Sequence, residues 1–204
     1  CGPGDVPDSA QKTCDTCLPG FEENINGSAC QMCPLGKAKD VGEVVCTDCP
    51  RGYFTAQEGK SQCDYCQGAT YQSMEGQTGC RSCDEQYVNS IALFLGATDK
   101  SMCDCPAGTY LPVDGTTCIA CPDGFTCPNA RTHAANFPSG TSNLQVGTDA
   151  SNASNAYPLV ESGYMTLPGE PLTVYLCNEE EHCPGGAPGT CAAFRDNSMV
   201  ACGV

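Results

Sequence analysis

The chain has 204 residues, of which 20 are cysteine, 23 glycine and 15 proline, with no tryptophan. So many cysteines fit the oxidising exterior of a cell rather than a cytosol that keeps thiols reduced, and an even count permits complete pairing. Nine Lys+Arg against 24 Asp+Glu give a net charge of −15, which disfavours nucleic acid and anionic membranes as partners.

Leu, Ile, Val and Phe are scarce and scattered, so no large apolar core is available and cross-links must take its place. The longest apolar run, Ile91-Ala92-Leu93-Phe94-Leu95, falls far short of the roughly 18 residues of a membrane-spanning helix. No signal-peptide pattern stands at Cys1, and no closing element follows Cys202-Gly203-Val204. A mature or partial segment of a longer secreted protein is therefore expected.

Reading along the chain, Cys-x-x-Cys pairs start at Cys14, Cys30, Cys46, Cys63 and Cys80, in steps of 16, 16, 17 and 17 residues. A variant pair follows at Cys103 and Cys105, then a regular one at Cys118 and Cys121. Such spacing defines tandem repeats. After the second cysteine comes a Pro and Gly turn: Cys17-Leu18-Pro19-Gly20, Cys33-Pro34-Leu35-Gly36, Cys49-Pro50-Arg51-Gly52, Cys105-Pro106-Ala107-Gly108 and Cys121-Pro122-Asp123-Gly124. Cys1-Gly2-Pro3-Gly4 has the form of a truncated first copy. Pro fixes φ and Gly reaches backbone conformations closed to other residues, so each word turns the chain just beyond a cross-link.

An aromatic often follows (Phe21, Tyr53, Tyr110, Phe125), placed to cover a cystine. A second glycine (Gly27, Gly42, Gly59, Gly76, Gly115) allows a hairpin-like return. Each unit reads as two short strands and a turn. The copy from Cys83 to Cys103 is longer, and its run Ile91–Leu95 reads as a helical turn or a short strand, an apolar plug between repeats.

These words, above all Cys46-Thr47-Asp48-Cys49-Pro50-Arg51-Gly52-Tyr53-Phe54 and the stretch from Leu95-Gly96-Ala97-Thr98-Asp99 to Cys105-Pro106-Ala107-Gly108-Thr109-Tyr110, resemble the ephrin-receptor-like (Gly-Cys-Cys type) cysteine-rich repeat. That repeat occurs in large surface proteins, including those of single-celled eukaryotes. The resemblance covers roughly residues 1–127 and implies spacer and interaction modules. The unit is also similar to the first submodule of tumour-necrosis-factor-receptor domains. That likeness implies a ladder of bonds: Cys1–Cys14, Cys17–Cys30, Cys33–Cys46, Cys49–Cys63, Cys66–Cys80, Cys83–Cys103 and Cys105–Cys118. The copy Cys66-Gln67-Gly68-Ala69-Thr70-Tyr71 departs by lacking the Pro and shifting the Gly, which leaves its turn in doubt.

Residues 128–171 form a polar cysteine-free stretch, within a gap of forty-nine residues between Cys127 and Cys177. Linker is the default reading, with Tyr157-Pro158-Leu159-Val160 a strand candidate inside it. Residues 172–204 are expected to form a small cysteine-rich module, opening on the strand-like run Leu172-Thr173-Val174-Tyr175-Leu176. The pairing of Cys121, Cys127, Cys177, Cys183, Cys191 and Cys202 is open, with Cys121–Cys127 and Cys191–Cys202 the first candidates.

The chemistry is sparse. The Cys-x-x-Cys spacing matches zinc sites, but seven overlapping copies with only two His favour structural disulfides, so no metal is assigned. His133 reads as a solvated loop residue, and His182 lies beside Glu179-Glu180-Glu181. Neither has a nucleophile motif, so no catalytic residue is assigned and the chain is read as a non-enzyme. The acidic residues supply oxygen ligands for Ca²⁺, an assignment outweighed by a solvated acidic face. Asn26-Gly27-Ser28 and Asn152-Ala153-Ser154 fit the N-glycan acceptor rule, so N-linked glycans on Asn26 and Asn152 are expected, with no other cofactor.

The fold expected is small and disulfide-rich, an elongated tandem array of short β-hairpin-like repeats with little helix. The role expected is that of an extracellular structural protein: a repeat segment of a surface filament, flagellar hair or cell coat. Its partners would be copies of itself or other surface and matrix proteins. The alternative is the stalk or ligand-binding ectodomain of a receptor or adhesin, with Ile91, Leu93 and Phe94 as contact residues.

Overall fold

In the computed structural model the Gly-containing words bend the chain as their composition requires. The described residues are 2–7, 14–128, 130–134, 157–167, 169–192, 195 and 202, Cys14 in its backbone alone. Leu18 C=O accepts from Phe21 N–H, Pro34 C=O from Lys37 N–H and Pro50 C=O from Tyr53 N–H. In each turn the third residue is a glycine at positive φ: Gly20 at 83°, Gly36 at 77° and Gly52 at 82°. That is the backbone a type II turn needs, and it costs glycine nothing.

Two short antiparallel strands leave each turn. In chain order they pair as β1 (Asp5–Pro7) with β2 (Cys14–Thr16), β3 (Phe21–Glu23) with β4 (Cys30–Met32), β5 (Lys37–Ala38) with β6 (Thr47–Asp48), and β7 (Tyr53–Phe54) with β8 (Asp64–Tyr65). β9 (Thr70–Tyr71) pairs with β10 (Arg81–Ser82), β11 (Ile91–Ala92) with β12 (Cys103–Asp104), and β13 (Thr109–Tyr110) with β14 (Ile119–Ala120). β15 (Phe125–Thr126) pairs with β16 (Leu159–Val160), and β17 (Tyr164–Leu167) with β18 (Glu170–Leu176). Among the described residues, helix is confined to 3₁₀ turns such as Cys83–Glu85 and Lys100–Met102. The chain is a small disulfide-rich series of hairpins. Ile91–Leu95 opens as strand, at β11, rather than as a helical turn.

Nine cystines are described, and six of them join pairs the resemblance implied: Cys17–Cys30, Cys33–Cys46, Cys49–Cys63, Cys66–Cys80, Cys83–Cys103 and Cys105–Cys118. The others are Cys121–Cys127, Cys177–Cys183 and Cys191–Cys202. The Cys1–Cys14 bond lies outside the described residues. Most of these loops span 13 or 14 residues, and closing a loop of that size stabilises by about 3 kcal/mol.

The chain divides into two units, one of Cys1–Gln86 with Ile91–Cys103, the other of Tyr87–Ser90 with Asp104–Val204. Within the first, the copies interleave. Numbering copies from Cys17, the turn glycine of one copy donates to a carbonyl of the next: Gly20 to Lys39, Gly36 to Thr55 and Gly52 to Gln72. Those acceptor residues donate onward to the copy after: Lys39 to Lys60, Thr55 to Gln77 and Gln72 to Ala97. The second glycines donate back to cysteine carbonyls: Gly59 to Cys33, Gly76 to Cys49 and Gly96 to Cys66. Each turn glycine therefore lies flat against a peptide two copies on. A Cβ at Gly20, Gly36 or Gly52 would stand 2.1, 2.2 or 2.2 Å from the carbonyl oxygen of Gly59, Gly76 or Gly96.

This ladder explains a set of buried polar side chains. Lys39, Thr55 and Gln72 hold equivalent positions and are 2%, 0% and 2% exposed. Buried polar atoms need partners, and each finds them close by. Thr55 Oγ1 donates to Gln57 C=O, and Gln72 Nε2 to Gly79 C=O. Lys39 Nζ donates to Cys17 C=O at 2.9 Å and to Leu18 C=O at 3.4 Å. Elsewhere the matching cysteine carbonyl is met by the second-glycine N–H of the next copy. In this shorter copy the ammonium takes that place.

Apolar packing is local. In the first unit Tyr71, Cys83, Ala97 and Cys103 form a buried cluster with Met102 against it. The aromatics after the turns are unequal covers: Tyr110 and Phe125 are buried, whereas Tyr53 is 38% exposed. The left-handed residue of the sixth copy is Asp114 at φ 56°, not Gly115.

In the second unit the ladder runs on past Cys127. Gly108 N–H donates to Cys127 C=O, Arg131 N–H to Cys105 C=O and Leu111 N–H to Thr132 C=O. Arg131, at φ 67°, stands where earlier copies carry their second glycine. The stretch read as linker also holds β16, β17 and the first turn of β18, so its later part is strand.

Those strands form a further copy. Glu161-Ser162-Gly163-Tyr164 closes a turn, with Tyr164 N–H on Glu161 C=O and Gly163 at φ 84°. Cys177 N–H donates to Gly163 C=O, as Cys33 N–H does to Gly20 C=O. Thr166, three residues after the glycine, is fully buried like Thr55. The positions that carry Cys17 and Cys30 in the first copy are here Val160 and Val174. β17 and β18 keep the hairpin register of β3 and β4, Thr166 facing Val174 as Glu23 faces Cys30.

Candidate functional site

The residues with chemical potential fall into four places, and none assembles a nucleophile, base and oxyanion donor. The first is around His133. The sequence reading of a solvated loop histidine is corrected here. Residues 130–134 fold against the sixth copy, and the His133 side chain is only 21% exposed. Its Nε2 lies 2.6 Å from Asp104 Oδ1. That same carboxylate oxygen accepts the Cys105 N–H at 2.8 Å. The Tyr87 ring meets the imidazole edge to face, centroids 5.8 Å apart at 84°. Each side chain is engaged, and the arrangement fastens residues 130–134 to the sixth copy. The sequence carried no mark of the pair, because its members are 29 residues apart.

The second place is the charge cluster on β9 and β10. Glu85 accepts from the Tyr71 phenol at 2.8 Å and from Arg81 Nε at 3.1 Å. The Arg81 guanidinium also sits over the Tyr71 ring, 5.8 Å from its centroid. The phenol and guanidinium hydrogen bonds hold the Glu85 carboxyl below its ordinary pKa. Burial first, and then the bond to Glu85, push the Tyr71 phenol up. This network braces the hairpin of β9 and β10.

The third is an open groove of about 980 Å³ along β7 and β8, lined by Tyr53, Phe54, Gln62, Tyr65 and Thr70 among others. Lys60 and Asp64 on its wall neutralise one another at 3.1 Å, so the groove has no strong field of its own.

The fourth is the C-terminal cystine cluster. The buried sulfurs of Cys177, Cys183 and Cys202 lie within 4.8 Å of one another, the only such trio of potential metal ligands among the described residues. A metal is held by thiolate, not by cystine sulfur, and all three are disulfide-bonded. Met165, 1% exposed, completes the cluster. Beside it, Glu179, Glu180 and Glu181 do not converge. Glu179 pairs with His182 at 2.9 Å, and Glu180 accepts from Ser162.

Of the glycan acceptors, Asn26 sits exposed in the turn closed by Gly27 N–H on Asn24 C=O. Its neighbour Ile25 is 99% exposed, which leaves the approach open. The acceptor hydroxyl of Ser28 lies 3.3 Å from Asn24 Nδ2. Asn152 lies outside the described residues. No helix among the described residues is long and apolar enough to cross a membrane.

Cystines at this density, hairpins of two or three residues and cores built on sulfur define a disulfide-rich hairpin-repeat protein of the extracellular type. No protein-family model matches the chain, and neither does any curated protein.

Proposed function

We propose that this chain is extracellular construction material, a repeat segment of a surface filament, flagellar hair or cell coat, and that it carries no catalytic activity. The observation behind this reading is the interleaved backbone ladder. Copies are joined through backbone peptide groups, and each is closed within itself by a cystine, so the stacking needs no extended apolar core. The turns and strands are also what an ephrin-receptor-like repeat would need, and we assign the chain to that type. In this role it associates with copies of itself or with other matrix proteins, and Asn26 and Asn152 carry N-linked glycans. Electron microscopy of the native particle tests the reading. Filaments or a coat are expected, and a soluble monomer at every concentration refutes it. Intact mass before and after deglycosylation tests the sugars.

A receptor or adhesin ectodomain is the second reading. It is favoured by Phe94 and Leu95, exposed at 63% and 70% beside Ile91 in the fifth copy. Loss of cell adhesion on Phe94→Ser, with filaments absent, would decide for it.

A further inference from the structure

The two C-terminal cystines touch. Cys183 Sγ and Cys202 Sγ, which belong to different disulfides, lie 3.3 Å apart. Both residues are fully buried. Their bonded partners differ. Cys191 is half-buried, whereas Cys177 is itself buried at 7% exposure, beside Leu176, which is 70% exposed. Two fully buried sulfurs thus face each other, one tied to an accessible cysteine and one to a slightly less enclosed one. Met165 fixes the inner pair: its Sδ accepts the Cys202 N–H at 2.9 Å and lies 3.6 Å from Cys202 Sγ.

We propose that these four cysteines form a thiol–disulfide relay that passes an incoming thiol's attack through the buried pair and releases a thiolate at the other edge of the cluster. The co-reactant is a thiolate, from a small thiol or from a cysteine of another protein. It attacks Cys191 Sγ, the more accessible end. The Cys191–Cys202 bond breaks, and its electron pair leaves on Cys202 Sγ. A thiolate in a buried apolar setting is disfavoured, and here it lies against a cystine sulfur. It attacks Cys183 Sγ, the Cys177–Cys183 bond breaks, and the electron pair leaves on Cys177 Sγ. The products are a Cys183–Cys202 cystine, a mixed disulfide on Cys191 and a thiolate on Cys177. Two disulfides and one thiolate enter, and two disulfides and one thiolate leave, so no oxidant or reductant is consumed. The buried position of Cys202 drives the charge outward, and its contact with Cys183 sets the direction.

The relay gives the module two covalent states. In one, all four cysteines are bonded within it. In the other, the Cys183–Cys202 pair is bonded, Cys191 carries the incoming thiol and Cys177 is reduced. The chemistry stands without the filament reading, because it needs only the cluster and a thiol.

The test is peptide mapping of the secreted chain after acid quench and alkylation. Cys191→Ser leaves the Cys202 thiol facing Cys183. The expected product is a Cys183–Cys202 cross-linked peptide with alkylated Cys177, in about a tenth or more of the chains, the level reached when the two pairings lie within roughly 1.4 kcal/mol. Cys202→Ser leaves the Cys191 thiol outside the inner contact, and Cys177–Cys183 is expected intact. If the first variant fails to be secreted, wild-type protein treated with glutathione at mild alkaline pH gives the same readout, with glutathione on Cys191. Recovery of Cys177–Cys183 alone, with Cys202 alkylated or bearing glutathione, overturns the relay. Loss of the Cys177–Cys183 bond in Cys202→Ser as well, with Cys191 cross-linked to Cys183 or Cys177, overturns its direction.

Discussion

Alanine at Gly36 and at Gly42 separates backbone strain from stacking between copies. Both glycines lie in the second copy at similar left-handed angles, φ 77° and 85°. An alanine in that region costs about 1–2 kcal/mol at either position. The surroundings differ. A Cβ on Gly42 meets nothing within 4 Å, whereas one on Gly36 stands 2.2 Å from the Gly76 carbonyl oxygen and 2.8 Å from its carbon. Both atoms are backbone, so relief requires the two copies to part. Forcing extra volume into a packed contact costs about 1–3 kcal/mol. Parting them also weakens the bonds from Gly36 N–H to Thr55 and from Gly76 N–H to Cys49, at roughly 1 kcal/mol each. Gly36→Ala should therefore destabilise by about 4–7 kcal/mol, against about 1–2 for Gly42→Ala. Amide hydrogen exchange with cystines intact reads local opening. Exchange at Thr55 and Gly76 should accelerate roughly a hundredfold or more in Gly36→Ala and stay close to wild type in Gly42→Ala. Equal protection in the two variants would refute stacking across copies as the source of rigidity.

Lys39→Met keeps the length of the buried stem but removes the donor to the Cys17 and Leu18 carbonyls. Leaving them unmet should cost about 1–3 kcal/mol, read as faster exchange in the first and second copies. Val160→Cys with Val174→Cys places cysteines 14 residues apart, the separation of Cys49–Cys63. The pair should close into a disulfide detectable by mass, raising stability by up to about 3 kcal/mol, and two free thiols would deny that this segment is a copy. Glu85→Gln removes the charge that helps push the Tyr71 phenol up. Spectrophotometric titration should show the phenol ionising at lower pH than in wild type, though still raised, because burial is the larger cause. Glu85 itself is held below its ordinary value, so its contribution is present above the ordinary carboxylate pKa and fades as pH falls through the lowered one. Thermal melts should show an acid-side loss that Glu85→Gln lacks.

The hairpins were legible because cysteine spacing and Pro-x-Gly words act through local geometry. A turn glycine at Gly36 and a cystine that joins Cys33 to Cys46, thirteen residues on, both show within one window of sequence. The interleaving was not legible. It joins Gly20 to Gly59 and Gly52 to Gly96 through backbone atoms, which carry no residue signature. The burial of Lys39 left no mark for the same reason: the carbonyl it serves, that of Cys17, is 22 residues away and is brought beside it only by the fold. The hairpin of β17 and β18 was not legible as a copy because it lacks the cysteine pair that marks the others. Val160 and Val174 preserve shape without sulfur, and only Gly163 and Cys177 hinted at the pattern. His133 and Asp104 sit in unremarkable sequence and meet because Arg131 takes the backbone place of a glycine. The Cys183–Cys202 contact depends on β17 and β18 bringing Met165 beneath both, which spacing alone does not report.

The offset of the ladder bears on damage. A cut in the loop between Cys33 and Cys46 would leave both ends tethered by their cystine, while Gly20, Thr55 and Gly59 still hold the severed piece from either side. A chain built this way can accumulate nicks without shedding fragments.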